Sequence, residues 1–199
     1  TRKDQVDMMF SRILDEFDRL DILVNNAGGN LNRLGPKVGS PVTFPSSASM
    51  EDHQFITDVN LTGTILCCQA ASIPMKRQRY GKIVNVASQA GLHIVPEMVK
   101  AMSYSVAKAA IIHYTRCLAA ELGPFNVNVN CISPGWITTS RAIAEGRRGK
   151  AAKELEKQIS LGRLGSPEDV AKVVEFLVTD LSDYVTGQCI SVCGGYILF

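Results

Sequence analysis

Asp21-Ile-Leu-Val-Asn-Asn26, stopped by Ala27-Gly28-Gly29, is apolar on both faces, the mark of a fully buried strand in a parallel sheet. On its N-terminal side, Val6, Phe10, Ile13, Leu14 and Phe17 recur at helical spacing, with Asp4 and Asp7 placed to favour the helix start. On its C-terminal side, residues 30 to 49 are rich in Gly, Pro and Ser and read as a loop. Residues 50 to 79 are helical, with Phe55, Val59, Thr62, Leu66 and Ala70 on one stripe and Pro74 expected to kink or shorten the end. Lys82 to Ala87 is a second strand, 103 to 122 another helix ended by Gly123-Pro124, and Val127 to Ile132 a third strand stopped by Pro134-Gly135. Residues 138 to 162 are polar and helix-prone, Pro167 to Thr179 is a helix opened by proline, and Gln188 to Val192 is a last strand before Gly194-Gly195.

This alternation predicts an α/β fold, a parallel sheet with helices on both faces, and 199 residues make one domain, 1–199. Ligands of such sheets bind beyond the carboxyl ends of the strands, so Asn25–Gly28, Ser88–Gly91, Ser133–Thr139 and Val192–Gly195 should share one crevice. A net charge of +2 with scattered signs argues against nucleic acid or a membrane surface as partner. No apolar run is long enough to span a bilayer and no signal peptide is visible, so a cytoplasmic protein is expected. The six cysteines lack zinc spacing or C-x-x-C pairs, and are expected to be reduced and mostly buried, with no metal bound.

Tyr104 and Lys108 lie four apart in Tyr-Ser-Val-Ala-Lys, so they project from one helix face, where an ammonium favours the phenolate. Taken alone, this is also what a surface tyrosine beside a lysine looks like. Ser88 ends the second strand, where its hydroxyl can meet a substrate oxygen or cap the following turn. Asn60, a poor helix former in mid-helix, bends the helix, binds a water or faces solvent.

Together these pieces resemble the short-chain dehydrogenase/reductase family over essentially the whole chain. The matching elements are Asn25-Asn-Ala-Gly28, Asn60 in Val-Asn-Leu-Thr-Gly, Ser88, Tyr104-x-x-x-Lys108, Pro134-Gly135 with Ile137 and Thr139, and the ending Thr186 to Gly195. The resemblance implies a Rossmann-like, doubly wound sheet and an oxidoreductase moving a hydride between NAD or NADP and a secondary alcohol or ketone. It makes Tyr104 the general acid/base, Lys108 the group that depresses its pKa and holds the nicotinamide ribose, and Ser88 the anchor of the substrate oxygen. Asn60 would fix a proton-relaying water. Asn25, Ala27 and Gly28 would approach the cofactor through their main chain, with Pro134, Gly135, Ile137 and Thr139 on its nicotinamide side. His93, Met98 and Trp136 would line the substrate pocket under a lid at 138–162. The helices 50–79 and 103–122 resemble those through which family members form dimers or tetramers.

The chain departs from the family pattern in three places. It has no G-x-x-x-G-x-G turn before Asn25, so the fold is expected to be N-terminally incomplete, its first three strands absent and half the cofactor cradle with them. NAD and NADP are then not distinguished, and strand 21–26 becomes an edge. Tyr104 follows Ser88 by sixteen residues where about thirteen is usual, which lengthens the loop Glu97–Ser103. Cys193 stands where an Asp is common. These departures keep two other readings open: a catalytically silent chain acting through its surfaces, and epimerase or lyase chemistry on the same fold.

Overall fold

The computed structural model describes residues 1–31, 34, 41–94, 96–140 and 149–198. Helix α1 (Lys3–Phe17) leads into β1 (Ile22–Asn25). Then come α2 (Met50–Thr57), a π-helical turn (Asp58–Thr62) and α3 (Gly63–Gln78). Strand β2 (Gly81–Val86) is followed by α4 (Met102–Leu122) and β3 (Val127–Pro134). Helices α5 (Lys150–Glu156) and α6 (Pro167–Val178) precede β4 (Cys189–Val192). The four strands lie in the order β1-β2-β3-β4, all parallel.

Alternation along β2 and β3 divides the core. Ile83, Val127 and Val129 face one side, where Phe10 of α1, Cys68, Ala71 and Met75 of α3, and Leu118, Ala119 and Leu122 of α4 pack on them. Val84 and Ile132 face the other side, against Leu177 and the valines of α6. The first two crossovers therefore run on one face and the third on the other, which gives the third the opposite hand. Helix α6 is fixed at its start by Pro167 and by a capping box between Ser166 and Asp169.

Three expectations are corrected. Strand β1 is not fully buried: Ile22 and Val24 are 44% and 39% exposed. Among the described residues α6 covers β2, β3 and β4, and only the Leu23 side of β1 meets a helix layer. The stripe Phe55, Val59, Thr62, Leu66, Ala70 is only half-buried, and the buried face is Ile56, Asn60, Thr64, Cys68 and Met75. Asn60 thus faces the interior, not solvent. Pro74 lies inside α3, which continues to Gln78; the interruption of the long helix falls at the π turn instead.

All six cysteines are free thiols, but only Cys68, Cys131 and Cys193 are buried, and Cys117 is exposed. Of the expected lid 138–162, residues 141–148 lie outside the described residues. No described helix is long and apolar enough to cross a membrane.

Candidate active site

The carboxyl ends of the parallel strands form the crevice. Strand β1 runs out through Asn26 and Ala27 into Gly28 and Gly29, whose φ angles of 153° and 138° lie where side chains are rarely tolerated. A Cβ on Gly28 would sit 2.6 Å from Asn60 Oδ1 and 3.6 Å from Lys108 Nζ. That one glycine therefore marks the point where β1, the π turn and α4 converge.

Asn60 reaches this point because of the π turn. Buried positions at 56, 60, 64 and 68 are spaced by four, which at 100° per residue drifts by about 40° per step. One extra residue in a widened turn absorbs most of that drift. The Asn60 side chain then accepts from the Gly29 N–H at 2.9 Å and donates to the Gly29 and Ile56 carbonyls, both at 2.9 Å. What it has left is one acceptor position on Oδ1.

Lys108 is 4% exposed, and its ammonium donates to the Val86 carbonyl at 2.7 Å. Burial lowers its pKa to about 8. The same ammonium lies 5.6 Å from the ring centroid of Tyr104, one turn earlier on α4. Tyr104 is half-buried. Two residues beyond Val86, Ser88 caps the 3-10 turn Gln89–Gly91 by accepting the Ala90 N–H at 3.2 Å. Its own O–H is a donor that this cap does not use.

The other expected residues divide between the crevice and its surroundings. Asn25 turns its side chain into the sheet, donating to Asn85 Oδ1 at 2.8 Å and Cys68 Sγ at 3.2 Å; only its main chain belongs to the strand end. Ala27 is exposed beside Gly28. Pro134 ends β3, and the Gly135 N–H donates to the Val192 carbonyl at 3.0 Å, so these two join the ends of β3 and β4. Ile137 bridges to Gly165, and Thr139 is exposed just beyond it. Trp136 is buried among Ile159, Met98, Leu155, Leu164 and Tyr196, edge-on to the Tyr196 ring at 6.2 Å. His93 and Met98 line a cavity of about 420 Å³ with Met102, Val106 and Ala109, which lies on the side of α4 away from Lys108. His93 is exposed there. Met98 touches both places.

Gln89 and Ser133 lie in the strand-end segments Ser88–Gly91 and Ser133–Thr139 that the sequence assigns to the crevice, but sequence reasoning gave neither side chain a role. Both are buried, and among the described residues Gln89 Oε1 and Ser133 Oγ have no hydrogen-bond partner, each a cost of about 1–3 kcal/mol. Gln89 Oε1 lies 2.9 Å from where a Gly135 Cβ would stand, on the β3 side of the crevice. The available signal was a polar residue placed directly between strand-end Ser88 and the small pair Ala90-Gly91.

Comparison with known proteins bears on this arrangement. Residues 1–197 match the family profile described as enoyl-(acyl carrier protein) reductase. The chain is 48% identical over 188 residues to cyclohexanol dehydrogenase from Rhodococcus sp. (strain TK6), covering 92% of this chain and 65% of that one. It thus spans about two thirds of the length of that relative. A short-chain type dehydrogenase/reductase from Mycobacterium ulcerans superposes with a TM-score of 0.86 at 29% identity, over 98% of this chain and 66% of its own. ElxO with NADP bound superposes with a TM-score of 0.85, also at 29% identity, over 98% and 74%. A family match over residues 1–197, carried on a parallel sheet at whose strand ends Gly28, Asn60 and Lys108 converge, places the chain in the short-chain dehydrogenase/reductase family.

Proposed function

We propose that this chain carries the proton-transfer apparatus of an NAD(P)-dependent oxidoreductase that interconverts a secondary alcohol and a ketone, with Tyr104 as general acid/base. The observation that carries this reading is the Lys108 ammonium, buried beneath the Tyr104 ring and held by the Val86 carbonyl, two residues before Ser88. A cation confined there stabilises phenolate through space, which brings a phenol toward the working range of a proton-transfer group.

The residues present fit a nicotinamide cofactor. Gly28 leaves a side-chain-free floor that a Cβ would obstruct, and Lys108 beside it keeps ammonium donors beyond the one given to Val86. Ala27, Gly28 and Lys108 would hold it from one side, and Pro134, Gly135, Ile137 and Thr139 from the other. When bound, the cofactor supplies the hydride donor or acceptor. Ser88 donates its free hydroxyl hydrogen to the substrate oxygen and fixes it against the Tyr104 hydroxyl. Tyr104 gives a proton to that oxygen in reduction and takes it in oxidation. Asn60 holds the Gly28–Gly29 floor in place, and the acceptor position it has left on Oδ1 can take a proton-relaying water. Similarity to cyclohexanol dehydrogenase favours a cyclic secondary alcohol, with Trp136 and Met98 on the apolar wall.

Tyr104→Phe tests the reading. Cyclohexanol-dependent reduction of NAD or NADP should fall by at least 10³-fold while nicotinamide fluorescence titration still shows binding. Turnover unchanged in the variant refutes the assignment, and no cofactor binding by the unmodified protein supports the catalytically silent reading.

Assembly follows the same pair of helices. Ile73 on α3 is 57% exposed beside a groove of about 330 Å³ shared with Tyr114 and Cys117 of α4, which supports a homo-oligomer through α3 and α4. Ile73→Glu should lower the mass found by sedimentation; an unchanged mass counts against that interface.

A further inference from the structure

The sheet register makes Cys131 of β3 and Cys189 of β4 direct neighbours on adjacent parallel strands. Both pack in one cluster with Ala87, Ile111 and Ile112, so their side chains share the α4 face of the sheet. Neighbouring strands are about 4.7–4.9 Å apart, inside the roughly 4.4–6.8 Å between Cα atoms that a disulfide spans. Both thiols are free, Cys131 fully buried and Cys189 partly exposed at the sheet edge.

We propose that Cys131 and Cys189 form a peroxide-reactive dithiol whose oxidation joins β3 to β4 through a reversible disulfide. The two positions are unequal, and that sets their roles. A hydrogen bond from Cys131 and the nearby Arg116 charge hold the Cys189 thiol below its ordinary pKa against the opposing effect of burial, while Cys131 is pushed up. Cys189 is therefore the nucleophile and Cys131 the resolving thiol.

The Cys189 sulfur attacks one oxygen of hydrogen peroxide, the O–O bond breaks, and the departing oxygen takes a proton and leaves as water. Cys189 is then a sulfenic acid. The Cys131 sulfur attacks the Cys189 sulfur, the S–O bond breaks, and the hydroxide leaves with the Cys131 proton as a second water. Two thiols lose two electrons in total and one peroxide gains them; a dithiol reductant reverses the change. The linkage ties together the two strands that end in Pro134 and Val192 at the crevice.

The test uses the native protein treated with hydrogen peroxide, then denatured, alkylated and mapped without reduction. A mass loss of about 2 Da, a peptide linking positions 131 and 189, and recovery of both thiols with dithiothreitol are expected. Cys189→Ser should abolish the loss, and Cys131→Ser should leave a sulfenic acid at Cys189 that dimedone traps. If Cys131→Ser does not fold, the unmodified protein and Cys189→Ser, altered at the partly exposed position, decide the matter. Full alkylation of both cysteines after peroxide overturns the proposal, as does a sulfinic acid at Cys189 without a link, or a link that maps to Cys67, Cys68 or another pair.

Discussion

Asn60 and Gly29 exchange a reciprocal pair of hydrogen bonds, each 2.9 Å, between one side-chain amide and one backbone peptide. The π turn holds the amide in place and the amide holds the glycine floor of the crevice, so a helix irregularity is converted into the shape of the crevice.

Asn60→Ala should therefore lower stability by about 2 kcal/mol, since it removes three hydrogen bonds and leaves peptide groups of Gly29 and Ile56 without those partners. Urea denaturation measures this. A change under about 0.5 kcal/mol would mean that water replaces the clamp freely.

Lys108 gives the protein a pH signature. Its folded pKa of about 8 lies below the 10.5 of a free lysine, so the folded state binds fewer protons than the unfolded state between those values. The destabilisation from burying the charge is complete below pH 8 and is relieved as pH rises to 10.5. Lys108→Met should be more stable than the unmodified protein by roughly 2–4 kcal/mol at pH 7, with the gap closing by pH 10.5. Denaturation at the two pH values checks it, and a gap independent of pH would show that the ammonium is not desolvated in the fold.

Much of this was legible in the sequence because parallel strands and strand-end residues announce themselves locally. Ile83, Val127 and Val129 face one covered side and Val84 and Ile132 the other, so short apolar-rich runs identified both strands. The i, i+4 geometry of Tyr104 and Lys108 follows from any regular helix. Asn60 was harder, because a 3.6-residue period assumes a uniform helix and the π turn rotates the face by about one residue. Strand β1 reads as buried from its two apolar faces, yet Ile22 and Val24 lie at the edge of the described sheet, where no described helix covers them. The position of His93 depended on how the turn after Ser88 lies against α4, a tertiary matter with no periodic trace.

Ser88 caps the Gln89–Gly91 turn and, in the proposed mechanism, anchors the substrate oxygen, two roles that substitution separates. Ser88→Ala should lose about 1 kcal/mol of stability with the cap on Ala90, and about 10²–10³-fold in turnover with the donor to the substrate oxygen. Ser88→Thr keeps a hydroxyl and should restore most of both. Turnover within about threefold of normal in Ser88→Ala would restrict this residue to the cap.

Gly91 sets the distance between the Ser88 turn and the helix that bears Lys108. A Cβ there would stand 2.7 Å from Ala109 N, 2.7 Å from the Lys108 carbonyl carbon and 3.0 Å from the Lys108 oxygen. All three atoms are backbone, so no rotamer change relieves the clash, and the turn must move away from α4. Gly91→Ala should destabilise by about 1–3 kcal/mol. It should also reduce turnover by at least about tenfold, because the proposed mechanism needs Ser88 and Tyr104 on one oxygen and a shift near 1 Å is enough to separate them. Cofactor affinity, which in the proposed mechanism is shared by Ala27, Gly28 and Lys108 with the end of β3, should fall less than turnover. Equal losses in affinity and turnover would mean that the whole crevice has collapsed and that Gly91 does not act on the Ser88 to α4 spacing alone.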